Sequence, residues 1–299
     1  MAGGLHRAFE RGRTAGCEAI QIFTRSSRQW ASRPLDDDSV SAFAAARRAS
    51  GIDAVLAHDS YLLNVAAPDR TLRERSVREM IAELERCERL AIPYLVAHPG
   101  AHCGAGEDAG IRVAAHALDE VLAACRGFRA TIALENTAGQ GSQIGWRFEQ
   151  LGRLCAEARA GDGLRVCLDT EHAFAAGYDL SSRTGYESAM AALEAAVGPG
   201  RVVALHLNDA KCVLGGRVDR HEHIGKGTMG LPAFRNVLND PRFHGLPMCI
   251  ETPKMDDLAE DRRNLAVLRR LFGHRESASR RREGARGASA RRLHRPIVP

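Results

Sequence analysis

The chain has 299 residues, 44% of them hydrophobic and 26% charged, which is enough for one large domain or two small ones around a sizeable core. No run approaches the ~18 consecutive apolar residues that a membrane-spanning helix requires. Residues 1–13 lack the apolar stretch of a secretory leader, so a cytoplasmic protein with no membrane partner is expected.

In chain order, Met1-Ala2-Gly3-Gly4-Leu5 leads into a helical pattern ending near Cys17. Short apolar runs then alternate with helical patterns. The runs read as buried parallel strands at 20–23, 54–57, 94–97, 131–134, 165–168, 202–205 and 248–250. The helices are expected over 36–50, 71–91, 107–126, 146–160, 185–197 and 256–271. Thr71 with Glu74 three residues later has the spacing of a capping box. Strand ends recur every 34 to 45 residues, the βα repeat of a TIM-type (β/α)8 barrel, which takes ~250 residues. An open doubly wound sheet is the alternative, but no Gly-rich phosphate loop follows a strand. The first strand of an eight-stranded barrel is missing from the pattern. Either the barrel is open by one strand or that strand is encoded upstream.

The domain expected is 1–274, followed by an Arg-rich tail over 275–299. That tail holds eight Arg and two Glu, so it accounts for the net charge of +5, the remainder summing to −1. Its Arg280-Arg281-Arg282 and Arg291-Arg292 runs lie among Gly, Ala and Ser and cannot bury a core. It is expected to be disordered, as a solvated extension or a non-specific phosphate-binding arm. The eight cysteines form no CxxC pair and read as reduced thiols.

The chemistry lies where the strands end. His58, His98, Glu135, Asp169, His206 and Glu251 each close or follow a strand; His172 comes three residues after Asp169, and Asp219 and His221 follow in a later loop. Parallel strands share one carboxyl rim, and in barrels that rim is where catalysis sits. A lone His there is more often structural, and a lone carboxylate is commonly a helix cap. Five imidazoles and four carboxylates converging unpaired would be costly, and divalent cations remove the conflict. Mixed imidazole and carboxylate suits zinc, with manganese or iron as substitutes. Nine ligands fit two or three ions, an arrangement typical of phosphoryl chemistry.

The segments around these residues resemble the endonuclease IV family of apurinic/apyrimidinic (AP) endonucleases. They are His58-Asp59-Ser60-Tyr61-Leu62-Leu63-Asn64, His98-Pro99-Gly100, Glu135-Asn136-Thr137-Ala138-Gly139-Gln140-Gly141, and the stretch from Cys167-Leu168-Asp169-Thr170-Glu171-His172 to Gly177-Tyr178-Asp179. Leu205-His206-Leu207-Asn208-Asp209-Ala210-Lys211, the segment from Asp219-Arg220-His221 to Gly225-Lys226-Gly227, and Glu251-Thr252-Pro253 match as well. The resemblance covers roughly residues 2–272 and implies a xylose-isomerase-like barrel that holds three Zn2+. One ion would take His58, His98 and Glu135. A second would share Glu135 with Asp169, His206 and Glu251, and a third would take His172, Asp219 and His221. Glu135 and Glu251 would be the catalytic carboxylates. The implied enzyme is a deoxyribonuclease IV of base excision repair, monomeric, acting on duplex DNA. It cuts 5′ of an abasic site, leaving a 3′-hydroxyl and a 5′-deoxyribose phosphate, and trims blocked 3′ ends. Arg28, Gln29 and Tyr61 would enter the minor groove and flip the abasic nucleotide, while Lys211 and Lys226 would contact phosphates.

The chain departs from the family at Glu171, where a small neutral residue, often Cys, is usual. Glu171 either adds a ligand or points into solvent, and the outward orientation is expected. Two rivals remain. Glu135, Asp169, His206 and Glu251 also make the set of a single-metal sugar isomerase or epimerase, and an unclosed barrel would suit an inactive lesion-binding relic.

Overall fold

The computed structural model describes residues 3–30, 33–254 and 257–273; the Arg-rich tail lies outside them. The chain alternates α1 (Arg7–Ala15), β1 (Ala19–Phe23), α2 (Asp37–Ser50), β2 (Ala54–His58), α3 (Arg70–Arg89), β3 (Tyr94–Ala97), α4 (Glu107–Ala124), β4 (Thr131–Glu135) and α5 (Phe148–Glu157). It continues with β5 (Arg165–Asp169), α6 (Thr170–Ala176), α7 (Arg183–Val197), β6 (Val202–His206), β7 (Asp209–Ala210), β8 (His221–Glu222), α8 (Gly230–Leu238), β9 (Met248–Cys249) and α9 (Ala259–Leu271).

Among the described residues, β1 to β6 and β9 form one seven-stranded parallel sheet in sequence order. The sheet curls until β1 faces β9, but these two strands do not pair, as the strand count led us to expect. A groove of about 490 Å³ runs along the seam, lined by β1, β9 and helices α1 and α9. A closed eight-stranded barrel would place one more strand there. Gln21 bonds across the seam with both ends of its amide: Nε2 donates to Glu251 Oε1 at 2.9 Å, and Oε1 lies 2.8 Å from Nε2 of His206.

Apolar burial falls into two compartments. The larger lies between sheet and helices, where residues such as Phe43, Leu84, Leu118, Phe148 and Phe234 are fully buried. The smaller fills the barrel: Leu56, Val96, Ala133, Cys167, Ala204 and Cys249. Each of these stands two positions before His58, His98, Glu135, Asp169, His206 or Glu251. Because strand side chains alternate with period two, every one of those polar residues sits directly above an apolar plug. A bulge between Val166 and Cys167 restores the register that puts Asp169 beside His206.

Local chemistry departs from expectation at three helices. The capping box does not form on α3. Asp69 takes the cap, its carboxylate accepting from Leu72 N at 2.7 Å, while Glu74 pairs with Arg70 at 2.6 Å. Asp69 wins because it stands one residue before the first helical turn with an acceptor of the right length. Helix α6 is a short helix with no apolar stripe, since nearly every residue in it is buried. Helix α8 opens Gly-Leu-Pro, punctuation that reads as loop in a sequence, but Pro in a first helical turn forfeits no hydrogen bond. Helices α5 and α7 pack so closely that a Cβ on Gly152 would lie 2.2 Å from the Ala196 carbonyl oxygen.

Candidate metal centre

All nine predicted residues meet at the carboxyl ends of the strands. Glu135 stands at the centre. Its Oε2 lies 3.2 Å from Nε2 of both His58 and His98, and its Oε1 lies 2.9 Å from Nδ1 of His206. The two oxygens thus face two different sets of donors. Nδ1 of His206 is also 3.2 Å from Glu251 Oε2 and 3.7 Å from Asp169 Oδ2. The third group is His172 and His221, whose Nε2 atoms each lie 3.5 Å from an oxygen of Asp219. A β7–β8 hairpin presents His221 to this group.

Every buried imidazole in the cluster has its tautomer fixed by a second partner. Nδ1 of His58 lies 2.9 Å from the Asp59 carbonyl, Nδ1 of His172 lies 2.8 Å from that of Asn136, and Nδ1 of His221 lies 3.0 Å from that of Glu251. A carbonyl only accepts, so these nitrogens donate and Nε2 is the nitrogen that faces the centre, free to bind an ion once its proton leaves. His206 is reversed. Its Nε2 donates to Gln21 Oε1 at 2.8 Å, leaving Nδ1 facing the carboxylates. Such partners are how proteins orient imidazole for metal binding.

Three residues that strand-end reasoning did not assign hold the carboxylates. Asn136 exchanges two bonds with the backbone of Asp169, donating to its carbonyl at 3.0 Å and accepting from its N–H at 2.8 Å. Asn208 donates to Asp169 Oδ2 at 2.6 Å and accepts from Glu251 N at 2.7 Å. Gln21 ties His206 to Glu251 across the seam. Asn136 and Asn208 lie within two residues of strand-end ligands, a signal available in the sequence; Gln21 sits inside a strand with no such mark.

Without cations the acids and imidazoles of the centre offset one another's charge. Burial would raise the Glu135 carboxyl, but the charges of His206 and His98 hold it well below the usual range. Glu251 is likewise driven down against burial, chiefly by His206. Burial would lower the imidazoles, yet Glu135 brings His58 up to about 9, and the carboxylates around His172 lift it well above its ordinary value. Without ions, protonated imidazoles offset the ionised acids, and the nitrogens that would bind a metal carry protons instead. Divalent cations would supply the positive charge while releasing the protons.

Glu171 corrects the expectation that it faces solvent. It is fully buried, because α6 turns it back under the loop that carries Asp219. Its Oε1 accepts from Arg220 N at 3.1 Å, whereas Oε2 has no hydrogen-bond partner among the described residues. Burial, and then the charge of Asp169, raise this carboxyl to about 7. Asp169, Glu171, His172 and His221 can place one donor atom each within 4.8 Å of one another, as can His58 with His98 and Glu135, and Glu135 with Asp169, His206 and Glu251.

The centre opens into a cavity of about 390 Å³ bounded by His58, Tyr61, His172, Arg220 and Pro253. A larger hollow of about 1050 Å³ lies at the opposite end, near the start of β4 and β5, and contains none of these groups. On the rim, Tyr61 is 58% exposed and packs edge-on against Phe23. Arg28 and Gln29 are exposed on the loop after β1. That loop is joined to the Tyr61 loop by Ser60 Oγ, which donates to the Ser27 carbonyl at 2.9 Å. Arg25 anchors it from below, donating to Glu83 at 2.6 Å. Lys211 and Lys226 are exposed around the hairpin loop, with Lys211 3.8 Å from Glu222.

Residues 9–271 match the family model described as a xylose isomerase-like TIM barrel. The chain is 51% identical over 271 residues to a probable endonuclease 4 of Chloroflexus aggregans, covering 91% of this chain and 95% of that one. In structure it is similar to endonuclease IV from Thermus thermophilus, with a TM-score of 0.80 at 37% identity, covering 91% of this chain and 95% of the other. A D-tagatose 3-epimerase-like protein has a TM-score of 0.70 at only 18% identity, covers 91% of this chain and 96% of that one, and shares the fold alone.

Proposed function

The chain belongs to the endonuclease IV family, and on that premise we propose that it hydrolyses duplex DNA at abasic sites during base excision repair. The cut falls 5′ of the lesion and leaves a 3′-hydroxyl and a 5′-deoxyribose phosphate; blocked 3′ ends are trimmed by the same centre. The observation that carries this reading is the surplus of donors. Glu135, Asp169, His206 and Glu251 would serve a one-metal isomerase, but His58, His98, His172 and His221 converge beside them with Nε2 facing carboxylate oxygens of Glu135 or Asp219.

The donor set suits three divalent ions, zinc first and manganese or iron as substitutes. His58, His98 and Glu135 would hold one. Glu135, Asp169, His206 and Glu251 would hold the next, with Glu135 shared. His172, Asp219 and His221 would hold the third. Ions bound there supply an activated water and neutralise charge on the phosphate and the leaving oxygen. The chain's own residues do the positioning. Asn208 and Gln21 fix the Glu251 carboxylate, and Asn136 fixes the strand end that carries Asp169. Arg28, Gln29 and Tyr61 line the rim where a duplex would be kinked and its abasic nucleotide turned out. Lys211 and Lys226 are placed to contact phosphates. The enzyme is expected to act as a monomer in the cytoplasm, on the nucleoid.

A nicking assay on a duplex with one tetrahydrofuran abasic analogue tests the reading. Incision 5′ of the analogue that disappears with chelator and returns with Zn2+ is expected. Intact duplex in every condition would leave only a lesion-binding role, and one ion per chain would favour the isomerase.

A further inference from the structure

Resting on that three-ion reading, we propose that Glu171 is a fourth protein ligand of the site formed by His172, Asp219 and His221. Four observations point the same way. The side chain is fully buried, and its Oε2 makes no hydrogen bond among the described residues. That oxygen lies 3.9 Å from Nε2 of His172 and 4.0 Å from Nε2 of His221. Nε2 of His221 is itself buried without a hydrogen-bond partner, its ring held by the bond from Nδ1 to the Glu251 carbonyl. The other carboxylate oxygen is pinned by the Arg220 amide at 3.1 Å and the Cys212 thiol at 3.8 Å, which leaves Oε2 aimed between the imidazoles.

An ion with bonds of about 2.0–2.1 Å in tetrahedral geometry separates its ligand atoms by ~3.4 Å. The gaps to Asp219 are 3.5 Å and those to Glu171 are 3.9 and 4.0 Å. Glu171, His172 and His221 hold donor atoms within 4.8 Å of one another, and Asp219 presents one oxygen to each of the two imidazoles, so the carboxylates close on one ion by movement of their ends alone. A buried carboxylate oxygen with no partner is otherwise hard to account for, because every lone pair it keeps from water is uncompensated. Two carboxylates and two imidazoles also cancel the charge of a divalent ion at this site. A His-His-Asp set would leave it one positive charge, so Glu171 makes the ion harder to remove.

The test is metal content and release. Wild type and the Glu171→Gln and Glu171→Ala variants are loaded with Zn2+, desalted and assayed by elemental analysis. Release into a chromogenic chelator is then followed in time. Wild type is expected to hold three ions per chain. In both variants one of the three should leave at least ~10-fold faster, the scale on which even outer-sphere partners alter affinity, while the other two leave at the wild-type rate. Loading with Co2+ should change the visible absorption of one ion in the variants. Melting of the chelated proteins controls for folding: Glu171→Gln keeps an acceptor for the Arg220 amide and should melt no lower than wild type. Three ions with unchanged release in both variants overturn the role of Glu171 alone. Fewer than three in wild type overturn the three-ion reading and this proposal with it.

Discussion

Gln21 Oε1 lies 2.8 Å from Nε2 of His206, at the open seam of the barrel, and determines which nitrogen of that imidazole faces the carboxylates. The other buried imidazoles of the centre are oriented by backbone carbonyls, which a mutation does not remove. His206 depends on a side chain. Replacing Gln21 by Leu takes away both the acceptor for Nε2–H and the donor to Glu251 Oε1. The expected result is a loss of roughly 10–100-fold in affinity for the ion that Glu135, Asp169, His206 and Glu251 would share. Competition with a chelator measures it, and unchanged affinity would show that packing alone orients His206.

Glu251 separates chemistry from DNA binding. It accepts from Gln21 and faces Nδ1 of His206 at 3.2 Å, among the candidate metal ligands. Glu251→Gln keeps the shape and removes the charge. Incision should fall roughly a thousandfold, since an ion poised at the reacting phosphate contributes several kcal/mol at about 1.36 kcal/mol per tenfold. Binding of the abasic duplex, followed by fluorescence anisotropy, should persist. A parallel collapse of binding would place Glu251 in DNA recognition instead.

The chelated and metal-loaded proteins should respond oppositely to pH. In the protein without ions, Asp59 is raised to about 8 by burial and Glu171 to about 7. Each such carboxyl favours the folded state when protonated, so stability declines from its unfolded value near ~4 up to its folded one. His58 is raised to about 9, so its contribution is complete below ~6.5 and is lost as pH rises to about 9. Glu135, Glu251 and Asp219 are depressed and contribute above ~4. Thermal melting in chelator should peak between about pH 4 and 6.5 and fall toward pH 9. With Zn2+ the imidazoles bind as neutral ligands, so stability should instead rise with pH across that range. Identical profiles with and without chelator would mean that the cluster does not bind ions in solution.

Much of this centre was legible in the sequence because a barrel turns strand ends into a list of rim residues. His58, His98, Glu135, Asp169, His206 and Glu251 are marked by the apolar run before each, and the residues two positions back are the plug beneath them. The strand count also anticipated the open seam between β1 and β9. Orientation off the strands was less legible. Glu171 looked free to face water, since nothing in a linear reading shows that α6 buries nearly all of its residues at once. Gln21 was invisible for a related reason. Its role depends on β9 meeting β1 across 230 residues, a contact that no local pattern encodes.

The loop that carries Arg28 is built on buried charge, and this separates stability from DNA recognition. Arg25 is 4% exposed and donates to Glu83, itself 1% exposed, at 2.6 Å; the same guanidinium reaches Glu79 and, at 3.2 Å, the Trp30 carbonyl. Trp30 is covered in turn by the Arg75 guanidinium, 4.1 Å from its ring. Removing one partner of a buried pair leaves the other charge uncompensated, at a cost of about 3–5 kcal/mol. Glu83→Ala leaves Arg25 only the part-exposed Glu79 as counter-charge, so it should lower stability toward the low end of that range, about 3 kcal/mol, in urea unfolding and should loosen the loop holding Arg28 and Gln29. Arg28 itself is exposed and carries none of this load. Arg28→Ala should leave the urea midpoint within about 0.5 kcal/mol of wild type, as surface substitutions do, while weakening affinity for abasic duplex more than for intact duplex. Equal weakening for both would make Arg28 a phosphate contact that does not read the lesion.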